Sequence, residues 1–457
     1  MNVNKRSFGG NKTGRIILLL AAGCFAFSTV LPIKAWGFGN FIRIIAYNAG
    51  GMGRGGTCIA IGDDPSNLNF NPAIIGETES NALDINLLSI FKELDITYTG
   101  TNNTVYTSSD KDRIDLAPCI SYAHNNKNSP WSWGFSLSVP DAVSTDYTIQ
   151  SKYFGPVNAF SQILHIKFGP VVAYQVTPDL FIGTRLSLDH GSVDLRMPIG
   201  LTYIDLGECS AFGVSTSVGV LYKPTENLNI GLYYEAPTWM KDMESKNADG
   251  YLSIMTPGGR IDFSNLDVTL NNVQFSQNFG LGVAYMPSRS WRLSADVRYF
   301  NWHKHWKEIE VEYSGTGSAA MIAGNLPTTI IIPAHVSDQV TFGLGLEYFF
   351  EEIYSVSAGY HHAHDAMSDN YLLPFVPATM EHTLTCGFSV MPSKNIRFGI
   401  SLMYGIWADP SATSYHGYDQ SLEMQLGLPP HSLDSELNNA TTDRTMRNIQ
   451  LSLCVYW

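Results

Sequence analysis

The chain has 457 residues, with 28 Lys and Arg against 41 Asp and Glu, a formal net charge of −13. Five of those basic residues lie in the first 35 positions, which hold no acid, so the remainder carries 23 basic against 41 acidic, or −18. An acidic chain without Lys/Arg clusters excludes nucleic acid as a partner, because phosphate binding needs grouped cations.

The chain opens with a basic region (Lys5, Arg6, Lys12, Arg15), an apolar core from Ile16 to Val30, and Ile33-Lys34-Ala35 as a peptidase site. This pattern predicts a secretion signal over residues 1–35. Its apolar core is shorter than the about 20 residues a spanning helix needs. No later apolar run approaches that length, so insertion into a membrane must be by strands.

Trp36 to Ser80 is too rich in Gly and polar breakers for one long helix and lacks the alternation of a strand. Glycines from Gly37 to Gly62 allow tight coiling, and Asn71-Pro72-Ala73 closes the stretch. Residues 36–80 are expected to form a compact plug enclosed by the rest of the chain. Gly51, Gly53 and Gly56 also satisfy G-x-G-x-x-G. A dinucleotide site would need a strand before it, a helix after it and an acid about 20 residues on. Asp63, Asp64 and Pro65 come too soon, and no helical period appears.

From residue 81 onward the pattern is short alternating runs. Fourteen strands are expected, at 82–99, 114–123, 131–139, 160–176, 180–195, 210–223, 227–236, 274–286, 290–300, 335–350, 352–361, 379–391, 395–405 and 446–457. In 131–139, Trp131, Trp133, Phe135, Leu137 and Val139 alternate with Ser132, Gly134, Ser136 and Ser138. Alternation alone also fits a soluble sandwich, so the connections decide. Short turns such as Thr177-Pro178-Asp179, Pro287-Ser288-Arg289 and Pro392-Ser393-Lys394 alternate with long segments at 140–159, 237–273, 301–334, 362–378 and 406–445. Short turns on one rim and long loops on the other describe an outer-membrane barrel. An even strand count puts both termini on the short-turn side.

Bulky apolar positions should then face outer-membrane lipid, with Ser, Gly, Thr and charges toward the lumen. Trp291, Tyr299, Tyr348 and Tyr360 should form interfacial girdles. The cysteines show no C-x-x-C pairs and no metal-ligand spacing, and Cys386 and Cys454 read as small fillers within strands.

Gly37-Phe38, Gly51-Met52-Gly53-Arg54, Gly62-Asp63-Asp64 and Asn71-Pro72-Ala73, in that order, resemble the mature N-terminus of the bacterial outer-membrane transporters of long-chain fatty acids and hydrocarbons (the FadL/TodX type, OMPP1). Val218 to Pro237, Asn278 to Trp302, and Gly359 to Gly387 with Pro374, Pro377 and His382 resemble hairpins of the same family, so the likeness spans the chain after the signal. It implies an all-β fold, a transmembrane antiparallel barrel of about 14 strands over 81–457, with an N-terminal hatch inside the lumen. It also implies a Gram-negative outer-membrane location and passive inward diffusion with a lateral opening. Long-chain fatty acids are the default cargo and aromatic or alkane hydrocarbons the alternative. The terminal Leu451 to Trp457 resembles the signal read by the barrel-assembly machinery, making that machinery an expected partner through Trp457. Where family members often carry Tyr-Arg-Ser, this chain has Tyr234-Glu235-Ala236, which removes a basic residue and leans toward uncharged cargo.

By alternation His165, Lys167, Arg185, Asp189, Arg292, Asp296, Arg298, Glu347 and Arg397 face the lumen. A fatty acid needs an apolar slot for its tail and a cation for its carboxylate. Lys167, Arg185, Arg292, Arg298 and Arg397 are the candidate cations, each set against the plainer reading that lumen charges pair with one another or with the plug. The resemblance implies that Phe38 reaches the interior binding pocket. It also implies that Asn71, Pro72 and Ala73 contact the wall near a strand whose inward kink opens a side window. Gly134 and Pro140 make 131–140 the candidate strand, since Pro cannot complete a central ladder.

Two histidine clusters, His303-Lys304-His305 and His361-His362-Ala363-His364-Asp365, contain ligand types for a transition metal, but their place in expected loops argues for ordinary interfacial residues. No metal and no cofactor are expected. No G-x-S-x-G occurs and no nucleotide motif stands, so no enzyme activity is expected. A surface adhesin or receptor acting through loops 237–273, 301–334 and 406–445 is the reading from a different class.

Overall fold

The computed structural model describes residues 40–457 except 79–80, 100–103, 112–113, 127, 246–248, 257, 324–325, 365, 367–380 and 407–440. The expected signal 1–35 and Phe38 lie outside the described residues.

Fourteen antiparallel strands form the wall. They are β1 (Ala82–Thr99), β2 (Ile114–Asn125), β3 (Trp131–Ser151), β4 (Gly155–Thr177), β5 (Leu180–Ile199), β6 (Thr202–Thr225) and β7 (Leu228–Glu235). The second half comprises β8 (Asn278–Ser288), β9 (Trp291–Phe300), β10 (Gln339–Phe350), β11 (Tyr354–Ala363), β12 (His382–Ser393), β13 (Ile396–Ile406) and β14 (Thr441–Tyr456). Each pairs with the next. The cylinder closes where β14 pairs with β1, from Ala82↔Tyr456 to Thr97↔Thr441. A closed wall has no free edge, which is what lets strands sit in lipid.

Each expected strand overlaps one wall strand. One expected loop is instead strand over most of residues 140–159: β3 and β4 stay paired as far as Ser151↔Gly155, with a register shift between Ser138 and Asp141. Pro140 does not end the strand; it sits in that irregularity, where a missing N–H is tolerated. The long loops carry further strands. Gly250–Thr256 pairs with β6 and with Gly259–Asn271, which pairs in turn with Glu308–Ser314 and that with Thr329–Pro333.

Hydropathy inverts along single strands. In β1 the inward positions are Asp84 and Asn86 near the short-turn rim, then Leu88, Ile90, Leu94, Ile96 and Tyr98 farther out, all buried. The outward positions run the other way, from exposed Ile85, Leu87 and Phe91 to Glu93, Asp95 and Thr97. In β5, buried Arg185, Ser187 and Asp189 give way to buried Val193, Leu195 and Met197. Against lipid the apolar face must point out; past the membrane edge the same strand meets water and the apolar face turns in. The crossover marks the outer edge of the bilayer.

Aromatic pairs ring the short-turn rim: Trp131–Tyr174 at 4.7 Å, Trp291–Tyr348 at 4.6 Å, and the terminal Trp457 stacked on Tyr122 at 5.9 Å. On the far rim Tyr299 packs on Phe279 and Tyr360 on Phe342.

Residues 40–78 fill the middle of the wall. Nearly all are buried, and they fold as a helical turn (Ala49–Gly53) and two 3-10 turns (Pro65–Asn69 and Pro72–Gly76). Asn48 and Asn71 start the first and last of these, their side chains accepting from Gly51 N and Ala73 N. Backbone meets backbone at the wall: a Cβ on Gly183 would lie 2.5 Å from Ala73 N and Pro72 C, and one on Gly359 would overlap Gly55 N. Such contacts exist only because those inward positions are Gly.

Candidate functional site

The ladder between β2 and β3 is interrupted. Its last pair is Cys119↔Ser138. Beyond it, β3 turns inward and pairs with the hatch: Ile44 N donates to Pro140 O at 3.0 Å, Ala142 N donates to Ile42 O at 3.1 Å, and Arg43 bridges Asp141. Val139, Pro140 and Asp141 are all buried. Gly134 sits in regular ladder between Ala123 and Val171, so the departure begins at Val139–Pro140 instead. Pro118 of β2, which no sequence pattern singles out, lies beside the same interruption and also lacks an N–H.

An ionic cluster lies against this kink. Arg43 grips Asp141 with Nε–Oδ1 at 2.9 Å and Nη2–Oδ2 at 3.0 Å, and lies 3.3 Å from Glu235. His165 sits between two carboxylates, Nδ1 at 2.7 Å from Asp141 and Nε2 at 2.8 Å from Asp189. Lys167 donates to Glu235 at 2.6 Å, and Ser215 donates to Asp189 at 2.8 Å. Glu235, where the resemblance implies a basic residue, is therefore the acceptor for Arg43 and Lys167. Phe275 stacks flat on His165, centroids 3.8 Å apart.

The other candidate cations also serve the hatch. Arg292 pairs with Asp63 at 2.6 Å and Glu347 at 3.1 Å; Glu347 also takes Arg54 at 2.8 Å. Arg298 donates to Ile45 O at 3.0 Å and to Gly56 O, and lies 3.2 Å from Asp296, which accepts from Cys58 N and Ile59 N. Arg397 holds Asp64. Burial alone would raise the Asp63 carboxyl, but Arg292, Arg397 and Arg54 outweigh it and hold it at about 2. Arg185 differs. It donates to Asn69 Oδ1 at 2.6 Å, has no acid within ion-pair distance, and its Nε and Nη2 find no partner among the described residues.

The resemblance places the Asn71-Pro72-Ala73 corner on the wall near the kinked strand, and in the structure the corner meets the wall from β3 to β6, chiefly on β4, β5 and β6. Asn71 Nδ2 donates to Ile59 O at 2.8 Å and to Val220 O of β6 at 3.0 Å, and Pro72-Ala73 rests on β5 at Gly183. The kink is met by Asn40–Ile44. Charged side chains of the wall can be read as inward from their parity. Their partners cannot, because residues 36–80 have no period that assigns direction.

Above the crossover the interior is apolar. Leu94, Ile96, Val193, Leu195 and the loop residues Trp302 and Trp306 belong to one buried cluster that reaches Ala117, Val139 and Val143 at the interruption. Phe41 of the hatch stands edge-on to Trp302 at 5.2 Å and to Trp306 at 6.2 Å, and Phe300 stacks on Trp302 at 5.7 Å. Of the histidines, His362 and His382 face each other across β11 and β12, Nδ1 to Nδ1 at 3.4 Å, on the outward side. No group of three or more metal-ligating side chains occurs among the described residues.

A closed fourteen-stranded wall, greasy outside and blocked by its own N-terminal segment, with an apolar outer half that leads to a break in the wall, defines a plugged outer-membrane transport barrel. Residues 36–422 match the model of the outer membrane protein transport protein family (OMPP1/FadL/TodX), and the chain belongs to that family. Among solved structures it resembles the Pseudomonas putida toluene transporter TodX, with 16% identity, 92% of this chain and 100% of that chain covered, and a TM-score of 0.70. The Ralstonia pickettii toluene transporter TbuX gives 18% identity, 94% and 100% coverage and 0.65. A Pseudomonas aeruginosa FadL homologue gives 12%, 92% and 99%, and 0.66. At such identities these likenesses concern the fold. No curated protein matches the chain. The protein is an outer-membrane transport protein of a Gram-negative bacterium.

Proposed function

We propose that the barrel takes up small uncharged hydrophobic molecules, aromatic hydrocarbons among them, by diffusion through its apolar outer half and out sideways at the β2–β3 interruption. The observation that carries this is the absence of a spare cation along the route: among the described inward cations, Arg43, Arg54, Lys92, Lys167, Arg292, Arg298 and Arg397 are each within ion-pair distance of an acid. A carboxylate entering there would have to break one of those pairs, whereas a neutral ring needs only the apolar and aromatic lining. Leaving into lipid favours such a molecule by about 0.8 kcal/mol per CH₂ over leaving into water, so no energy source is required. The toluene transporters among the similar folds point to the same cargo class.

The long-chain fatty-acid reading rests on Arg185, the one described inward cation without an acid. It lies below the crossover, beside Asn69 of the hatch.

Titrating tryptophan fluorescence of the purified protein, with Trp302→Phe as the difference control, separates the two. Toluene should give a saturable change that Trp302→Phe diminishes, and oleate should not. Saturation by oleate at lower concentration than toluene, abolished in Arg185→Met, overturns the uncharged reading.

A further inference from the structure

Lys92 is out of place by composition. The inward face of outer β1 reads Leu88, Ile90, Lys92, Leu94, Ile96, Tyr98, and the lysine is the only charge in it, with its side chain fully buried. A buried ammonium is costly unless bonded, and what bonds it lies on three different strands or their extensions. Its Nζ is 2.8 Å from Asp115 of β2 and 3.8 Å from Asp110, and it donates to Ser144 O at 2.6 Å and Ser144 Oγ at 2.9 Å on β3. Ser144 Oγ in turn donates to Asp115 at 2.8 Å. Just beyond, Asp146 N donates to Asp110 and Lys111 N to Asp146 O, each at 2.8 Å, so β3 is tied again to its neighbour.

The interruption is therefore bounded at both ends. Below, it stops at Cys119↔Ser138, reinforced by the Ser121–Ser136 hydroxyl pair at 2.8 Å. Above, it stops at the Asp115–Ser144 contact that Lys92 cements. Between these limits three residues of β2 (116–118) face five of β3 (139–143), so the surplus of β3 must leave the wall, and it bows toward the hatch. From Asp115 to Cys119 is four residue steps of β2, about 13 Å at the usual strand rise.

We propose that Lys92 fixes the upper edge of this opening and thereby limits the size of molecule that can leave through it. This rests on the lateral route proposed above. Without the ammonium, Asp110 and Asp115 lose the cation they share, and the upper edge parts. Lys92 touches no cargo in this scheme; it is a positioning residue that acts through Asp115 and Ser144.

The test compares uptake of radiolabelled toluene with uptake of a three-ring aromatic such as phenanthrene, in cells expressing the full chain and lacking other members of this family. Lys92→Met should raise the phenanthrene-to-toluene ratio several-fold, and Lys92→Arg, which keeps the cation, should leave it at the wild-type value. Ser144→Ala, which strands no charge, should shift the ratio the same way by less and serves if Lys92→Met does not fold, as judged by heat-dependent gel mobility. Wild-type uptake of toluene with a ratio that none of the variants moves, or an equal fall of both cargoes, overturns the aperture alone. A wild-type chain that takes up neither hydrocarbon overturns the transport reading and the aperture with it.

Discussion

Arg43 of the hatch and Asp141 of β3 meet in a two-toothed ion pair, 2.9 and 3.0 Å, at side chains that are almost wholly buried. The pair lies where β3 has left β2, so the plug and the bent strand are held by the same contact. Removing one partner leaves the other charge buried and uncompensated, at a cost of about 3–5 kcal/mol. Arg43→Met and Asp141→Asn should each speed hydrogen exchange in peptides covering 40–47 and 139–147 while the rest of the wall stays protected. Unchanged exchange in both variants would show that the pair holds nothing.

A second seam lies two to three strands farther along the same side of the wall, where Pro72-Ala73 rests on Gly183 of β5 and Asn71 reaches Val220 of β6. Any side chain at 183 must push the 3-10 turn Pro72–Gly76 away. Gly183→Val should leave the barrel folded by gel mobility but expose the 71–76 corner to protease. A variant whose hatch resists protease as the wild type does would place the seam elsewhere.

The inversion of hydropathy along β5 makes a directional forecast. Leu186 faces lipid and Leu195 faces the interior beyond the crossover. Leu186→Arg should destabilise folding into vesicles by about 2–4 kcal/mol if it lies near the bilayer midplane. Glu93→Arg on β1, outward but past the crossover, should change it little. Urea titrations of vesicle-folded protein measure both, and an equal effect of the two would move the membrane edge.

Much of this is legible in the sequence because lipid imposes a strict two-residue period. The wall strands, their inward charges and the terminal girdle around Trp457 all derive from it. The extension of β3 and β4 through 140–159 is not legible, because Pro140 reads as a strand end and only the pairing reveals an irregularity that the strand survives. Lys92 escapes notice for a related reason: inward Leu88, Ile90 and Leu94 make outer β1 look like lipid-facing strand of the wrong parity until the crossover is known. The hatch contacts of Asn71 and Arg43 depend on a segment with no period, so no sequence rule could orient them.

Acid provides an independent probe of the hatch. Asp63 is held at about 2, below the ordinary carboxylate value, mainly against burial by Arg292 and Arg397. A depressed folded-state value contributes stability that is present above the unfolded value of 3.8 and disappears as pH falls through about 2. The Asp63–Arg292 tie should therefore persist at pH 4 and weaken only toward pH 2. Hydrogen exchange of peptides covering 58–68 at matched intrinsic rates would check it, and loss of protection already near pH 4 would contradict it.

The central claim is that this barrel passes neutral hydrophobic molecules through an apolar outer half that, among the described residues, has no cation to spare. Side-by-side initial uptake rates of radiolabelled toluene and oleate, in cells with and without the wild-type chain, test it most directly. Toluene uptake should depend on expression of the chain and should not be inhibited by excess oleate. Uptake of oleate but not toluene would contradict it.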